Sequence, residues 1–134
     1  MPDLTPLDVI NTLSMSTATA ADVADIAELI SDDVDWFVVG DPAVVPWAGR
    51  WTGKAGVVQF YATLRAETVS ERFDVAAVLA QANRVAVIGE LATRVKRTGK
   101  LIECEFIFDF VVENGLITRF RPFEDSLAVA QACR

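Results

Sequence analysis

The chain has 134 residues, 52% of them hydrophobic and 23% charged, with a net charge of −7 and no histidine. That length fits one domain, residues 1–134, able to bury a continuous core without disulfide or metal staples. The low charged fraction excludes disorder, and the acidic balance disfavours nucleic acid and anionic membrane surfaces as partners. Without histidine, Ser-His-Asp and Cys-His nucleophile systems and imidazole metal sites are excluded, so acid–base work falls to carboxylates, Tyr61, lysine, cysteine or water, and no metal or cofactor is expected.

Met1-Pro-Asp-Leu-Thr-Pro6 has neither a basic n-region nor an apolar h-region, and no apolar run reaches membrane-spanning length, so a cytoplasmic protein is expected. Leu7, Ile10 and Leu13 fit one helical face, and Val23, Ile26, Ala27 and Ile30 repeat at i, i+3, i+4, i+7, which predicts two amphipathic helices. Val34-Asp-Trp-Phe-Val-Val39 has the β-branched and aromatic content of a strand, broken by Gly40-Asp-Pro42. The following loop, to about residue 52, contains Pro42, Pro46 and Gly49 beside Trp47 and Trp51 and reads as a lid or rim. Val57, Phe60, Tyr61 and Leu64 then return to helical spacing, predicting a third helix from Lys54 to near Glu67.

Phe73, Val75, Ala77 and Leu79 alternate with their neighbours, and after a turn at Asn83-Arg84 a second extended run covers Val85 to Lys96. Thr98-Gly99 turns into Leu101–Val112, and Asn114-Gly115, a favoured two-residue hairpin turn, leads into Leu116–Phe123. Asp125-Ser126 is placed to cap a short closing helix containing Leu127 and Val129. Helix, helix, strand, helix and a four-stranded meander predict an α+β fold. Cys104 and Cys133 match neither a disulfide framework nor a metal pair and read as free thiols. Arg94, Lys96, Arg97 and Lys100 cluster near Glu90 and Glu103 and read as a solvated turn.

Trp47-Ala-Gly-Arg-Trp-Thr-Gly53, the helix after it, the Thr-Gly-Lys turn, Asn-Gly-Leu-Ile-Thr-Arg and the terminal Phe-Glu-Asp125 together resemble the nuclear transport factor 2-like superfamily, and within it the SnoaL-like polyketide cyclase and ketosteroid-isomerase-related branch. The resemblance spans nearly the whole chain. It implies a curved antiparallel sheet wrapped around N-terminal helices into a cone, an apolar pocket at the open end, and homodimerisation through the outer sheet face. It does not imply one reaction, because isomerases, cyclases, hydrolases and binding proteins share the scaffold. The ketosteroid-isomerase base falls at Val38, and its protonated oxyanion-hole aspartate near Ile107 or Phe108, so that mechanism does not transfer. The aspartate that SnoaL-like cyclases carry on the last strand falls close to Pro122, and the water-activating Arg–Asp pair of related hydrolases falls at Gly89 and Leu91, or Glu90 after a one-residue shift.

In the strand from Leu101, Cys104, Phe106, Phe108, Phe110 and Val112 share one face, expected to point inward with Thr118, Phe120 and Pro122 of the last strand. Arg119 and Arg121 then fall beside Glu105 and Asp109 on the outer face as cross-strand ion pairs. Trp36, Val38, Trp47, Trp51, Phe60, Leu64, Phe106, Phe108, Phe110 and Phe120 are the candidate ligand-binding residues, as pocket wall or as ordinary core. Glu90 in an apolar strand is the candidate general base or acid, unless residues 85, 87, 89 and 91 face inward and turn it out towards an arginine. Asp41 is an alternative base and Tyr61 a candidate hydrogen-bond donor to a carbonyl or enolate. The expected function is binding of a small apolar or carbonyl-containing metabolite in a conical pocket, with cofactor-free proton transfer as its chemistry; the alternative is a non-catalytic ligand-binding or dimerisation domain.

Overall fold

A computed structural model describes residues 5–18 and 23–134; the N-terminal Met1–Leu4 segment lies outside them. Helix α1 spans Pro6–Ala18. Thr5 and Asp8 cap it reciprocally: the Asp8 amide donates to Thr5 Oγ1 at 3.1 Å and the Thr5 amide to Asp8 Oδ2 at 3.2 Å, with Pro6 preset for the first turn. Its buried face is Val9, Ile10 and Leu13, while Leu7 is exposed, so the expected stripe is rotated by part of a turn. The second expected helix is a 3₁₀ segment, Val23–Leu29, and Ile30 already belongs to strand β1, Ile30–Val38. Ile26, Leu29 and Ile30 are all buried there, which the tighter 3₁₀ period and the extended Ile30 achieve together.

The loop after β1 closes on a short strand absent from the sequence reading, β2, Gly49–Thr52, antiparallel to β1 with Trp36 opposite Trp51. Helix α2, Gly53–Glu67, buries Val57 and Phe60. Strands β3 (Thr68–Gln81), β4 (Arg84–Val95), β5 (Leu101–Glu113) and β6 (Leu116–Phe123) form the meander, and α3, Ser126–Ala132, follows. The sheet order is β2-β1-β6-β5-β4-β3, with β1 parallel to β6 and the other neighbouring strands antiparallel. This is the expected α+β architecture, an open sheet with helices at the N-terminus.

Two irregularities in β3, between Ser70 and Arg72 and between Val75 and Ala77, bend the edge strand against β4. At the second, Gly89 is required: a Cβ there would sit 2.0 Å from the Asp74 carbonyl oxygen and 2.9 Å from Phe106 Cζ. The β5–β6 turn uses Asn114 and Gly115 at φ of 52° and 76°, as the dipeptide predicts. On β5, Ile102, Phe106, Phe110 and Val112 are buried and Glu103, Glu105 and Ile107 exposed, so the predicted inner face is the observed one.

The outer face carries the ion pairs. Arg84 grips Asp109 through two hydrogen bonds of 2.7 Å, and Arg119 adds a third contact at 3.3 Å. Arg121 reaches across the parallel seam to Asp35 at 2.7 Å, not to Glu105, because Asp35 on β1 sits opposite neighbouring Arg119. Arg50 pairs with the same carboxylate.

Candidate functional site

The aromatic side chains meet as expected and fill the space they enclose. Trp36 is fully buried, with ring centroids 4.2 Å from Phe120, 5.6 Å from Phe60 and 5.8 Å from Tyr61. Phe120 continues the cluster to Phe110 at 4.8 Å and Phe108 at 5.8 Å, and Phe108 lies 4.3 Å from Phe106. Trp51, Leu64 and Phe108 are partly buried and packed against this core. These residues make edge-to-face and tilted contacts with one another, so their inward orientation serves packing in this structure.

An open cavity lies one layer outward, at the end where β1 and β6 finish. Its volume is about 240 Å³, and it is walled by Val38 at the end of β1, Val39, Val45 and Trp47 of the loop, Pro122 and Phe123 of β6, then Glu124, and Ser126 and Val129 of α3. Val38 and Pro122 stand two residues beyond Trp36 and Phe120 on the same faces, which makes the Trp36–Phe120 pair the layer beneath the cavity. Of the expected ligand-binding residues, Val38 and Trp47 line it.

Glu124 is the ionisable group in this wall. Loss of hydration raises its carboxyl from 4.5 to about 7. Glu124 as a residue is exposed, and the shift arises because protein crowds its carboxyl within the concave wall while the open side of the cavity leaves the rest of the side chain accessible. The direction of the shift follows from that surrounding mass, and no arginine or lysine among the described residues forms an ion pair with Glu124 to oppose it. Asp125 is turned away: its Oδ1 accepts from the Ala128 amide at 3.0 Å and caps α3, the role its position predicts. A carboxyl poised near neutrality can take or give a proton at physiological pH.

The acid–base candidates from the sequence stand elsewhere. Val85, Val87, Gly89 and Leu91 face inward, so Glu90 points out, exposed, with Arg72 at 3.8 Å and Glu105 opposite on β5. Glu90 therefore does not belong to the aromatic wall; register parity places it outside. Asp41 is exposed and spent on its own turn, its Oδ1 accepting from the Ala43 amide at 2.9 Å and its carbonyl from Val44 and Val45. Tyr61 packs in the aromatic layer, and burial pushes its phenol above the ordinary value of 10.0. An indole proton in the same layer, Trp36 Nε1–H, is the buried side-chain polar group left without a partner among the described residues.

A larger depression of about 440 Å³ on the outer side is bordered by Arg72, Glu90, Glu103, Cys104, Glu105 and Asp125. Glu90, Glu103, Glu105 and Asp125 are exposed to solvent, Glu90 has Arg72 at 3.8 Å, and Asp125 caps α3. Burial raises the thiols of Cys104 and Cys133, both free, so neither is an activated nucleophile. Glu124 was legible in principle: extending the inward series Thr118, Phe120, Pro122 by one step reaches it.

Residues 14–120 match the SnoaL-like domain, and the chain belongs to that family. Its fold is similar to an NTF2-like protein of Burkholderia xenovorans LB400 (22% identity, 96% of this chain and 95% of that one, TM-score 0.87). It is also similar to an NTF2-like protein of Burkholderia thailandensis E264 (25% identity, 98% of each chain, TM-score 0.83). TerC, solved with polyporic acid, aligns over 96% of this chain and 97% of its own at 18% identity and a TM-score of 0.78. No curated protein matches the sequence. Among the described residues, no helix is long and apolar enough to cross a membrane.

Proposed function

We propose that residues 1–134 act as one SnoaL-like domain in the cytoplasm that binds a small apolar or carbonyl-containing molecule in the mouth cavity and exchanges a proton with it through Glu124, without a cofactor. The observation that carries this reading is the single carboxyl of Glu124 in a cavity wall otherwise made of hydrocarbon and aromatic side chains and the Ser126 hydroxyl, a setting that raises its pKa to about 7. Its position supports it as well, because Glu124 stands two residues beyond Pro122, where the resemblance puts the cyclase aspartate. That TerC, of similar fold, was co-crystallised with polyporic acid supports a ligand-binding reading. The test is hydrogen–deuterium exchange next to the carbonyl of small ketones, followed by NMR. Exchange accelerated by the native protein and abolished in Glu124→Gln, with binding retained, is the expected result; equal exchange in both proteins rejects the assignment. Binding without exchange in either protein establishes the second reading, a non-catalytic ligand carrier, which Val38, Phe108 and Pro122 at the family's catalytic positions favour.

We infer that the working unit is a homodimer through the outer sheet face. Ala77, Ile88, Ile107 and Phe123 are in register across four strands as an apolar row, and Ile107 and Phe123 are 43% and 53% exposed. Asp74, Glu90 and Glu105, partly offset by Arg72, flank it on one side, and Arg84, Arg119 and Arg121, partly offset by Asp109 and Asp35, on the other. A twofold axis through the row sets the acidic flank of each copy against the basic flank of the other. Light scattering should give twice the chain mass, and Ile107→Glu should give the monomer; a native monomer at micromolar concentration rejects the interface.

A further inference from the structure

The mouth cavity has a charge character that its apolar lining alone does not convey. Glu124 is its carboxyl, Ser126 supplies a hydroxyl, and the rest of the wall is hydrocarbon and aromatic: valines, Pro122, Trp47 and Phe123. No lysine or arginine lines it. Arg121, the nearest arginine in sequence, points to the outer face and is held by Asp35 at 2.7 Å. The other ionisable neighbours do not supply a cation either. Asp125 caps α3 and is itself acidic, and the Cys104 thiol is pushed up chiefly by burial, against a hydrogen bond with the Asp125 backbone, so it stays neutral.

A carboxylate in that setting lacks the counter-charge that would stabilise its ionised form, while aromatic rings in the same wall offer their electron-rich faces. The net charge of −7 adds a long-range field that draws cations towards the protein and repels anions. The volume, about 240 Å³, is below the range of drug-sized sites and suits one small ring or a short branched chain.

We infer that the small carbonyl-containing molecule proposed for the mouth cavity also carries an organic ammonium group, whose charged nitrogen pairs with the Glu124 carboxylate while the hydrocarbon part lies against Val38, Val45, Trp47 and Val129. This rests on the mouth cavity being the binding site and adds the ligand's charge and class. Ligand binding then completes an ion pair that the free protein leaves half-made, so the ammonium form draws the Glu124 carboxyl towards ionisation and binding strengthens as pH rises from 5 to about 8.

The test is a titration of the intact protein at pH 8 with cyclohexylammonium, cyclohexanol and cyclohexanecarboxylate, which share one ring and differ in charge. Binding is followed by the Trp47 indole resonance and by calorimetry. The ammonium compound is expected to bind about tenfold more tightly than the alcohol, the carboxylate to bind least, and Glu124→Gln to bring the ammonium compound to the level of the alcohol. Lowering the pH to 5 should have the same effect as the substitution. Equal affinity for alcohol and ammonium, a preference that survives Glu124→Gln, or ammonium-induced shifts confined to Glu90, Glu103 and Glu105 on the outer face overturns the inference. The alcohol binding at Trp47 with no ammonium preference leaves the cavity as the ligand site and removes only the cation; no probe reaching Trp47 rejects both.

Discussion

Trp36 and Phe120 lie side by side across the parallel seam between β1 and β6, with ring centroids 4.2 Å apart and planes tilted by 35°. The pair separates a filled aromatic interior from the open cavity above it, and so decides how deep a ligand can enter. Trp36 also carries the orphaned indole donor. Burying such a group without a partner costs about 1–3 kcal/mol, which a phenylalanine at the same place would not incur.

Trp36→Phe is therefore expected to be nearly neutral in chemical denaturation, the lost contact area offset by removal of the unpaired donor, whereas Trp36→Ala should cost about 3–5 kcal/mol. If the phenylalanine variant loses as much as the alanine variant, the indole N–H has a stabilising partner and the account of this layer is wrong.

Glu124 should make stability fall as the solution is made more alkaline. Its folded pKa, about 7, lies above the ordinary 4.5, so between those values the folded state holds a proton that the unfolded chain has released. The penalty for ionising the poorly hydrated carboxyl grows through that window and is constant above it. Thermal unfolding of Glu124→Gln, compared with the native protein from pH 4 to 8, should show a difference in melting temperature that widens in favour of the variant between pH 4.5 and 7. Parallel curves across that range would mean that Glu124 titrates like an ordinary surface acid.

Asp35 and Asp109 act with the opposite sign. Hydrogen bonds from Arg121 and Arg84, respectively, are the main causes that hold their carboxyls below the ordinary 3.8. The stability they add is present above 3.8 and is lost as pH falls through their folded values. Asp109→Asn should cost about 1–3 kcal/mol at pH 7 and flatten the acid limb of the stability curve below pH 4. An unchanged acid limb would assign acid unfolding to other groups.

Gly89→Ala is expected to be among the most damaging single substitutions, because the added methyl meets a backbone carbonyl at 2.0 Å and the Phe106 ring at 2.9 Å. Overpacking of this kind costs about 3 kcal/mol or more where backbone must move. A variant that unfolds at the native midpoint in urea would show that the β3 bend relaxes freely.

Ala82, at the β3–β4 turn, holds φ of 52° without being glycine. Ala82→Gly should stabilise by about 0.5–1 kcal/mol, since an alanine in the left-handed region is strained where glycine is not. A loss of stability on the same change would indicate that unfolded-chain entropy outweighs the relieved strain.

The chain by itself determined the α+β element order from the helix at Lys54 onward, the Asn114-Gly115 hairpin, the Asp125 cap and the inward face of β5, because each depends on residues a few positions apart. It also held both parities for Glu90 without choosing between them. Only the tertiary structure decided that parity, through the pairing of β4 with β5; the parallel placement of β1 beside β6; and the formation of β2 from a loop with no strand periodicity of its own. It also separated core from cavity. A period of two says which side chains share a face, but whether Phe60 and Phe106 bound a space or fill it depends on the distance to what lies opposite. The proton affinity of Glu124 was out of reach for the same reason: it is set by how much protein the loop, β6 and α3 bring around one carboxyl in three dimensions.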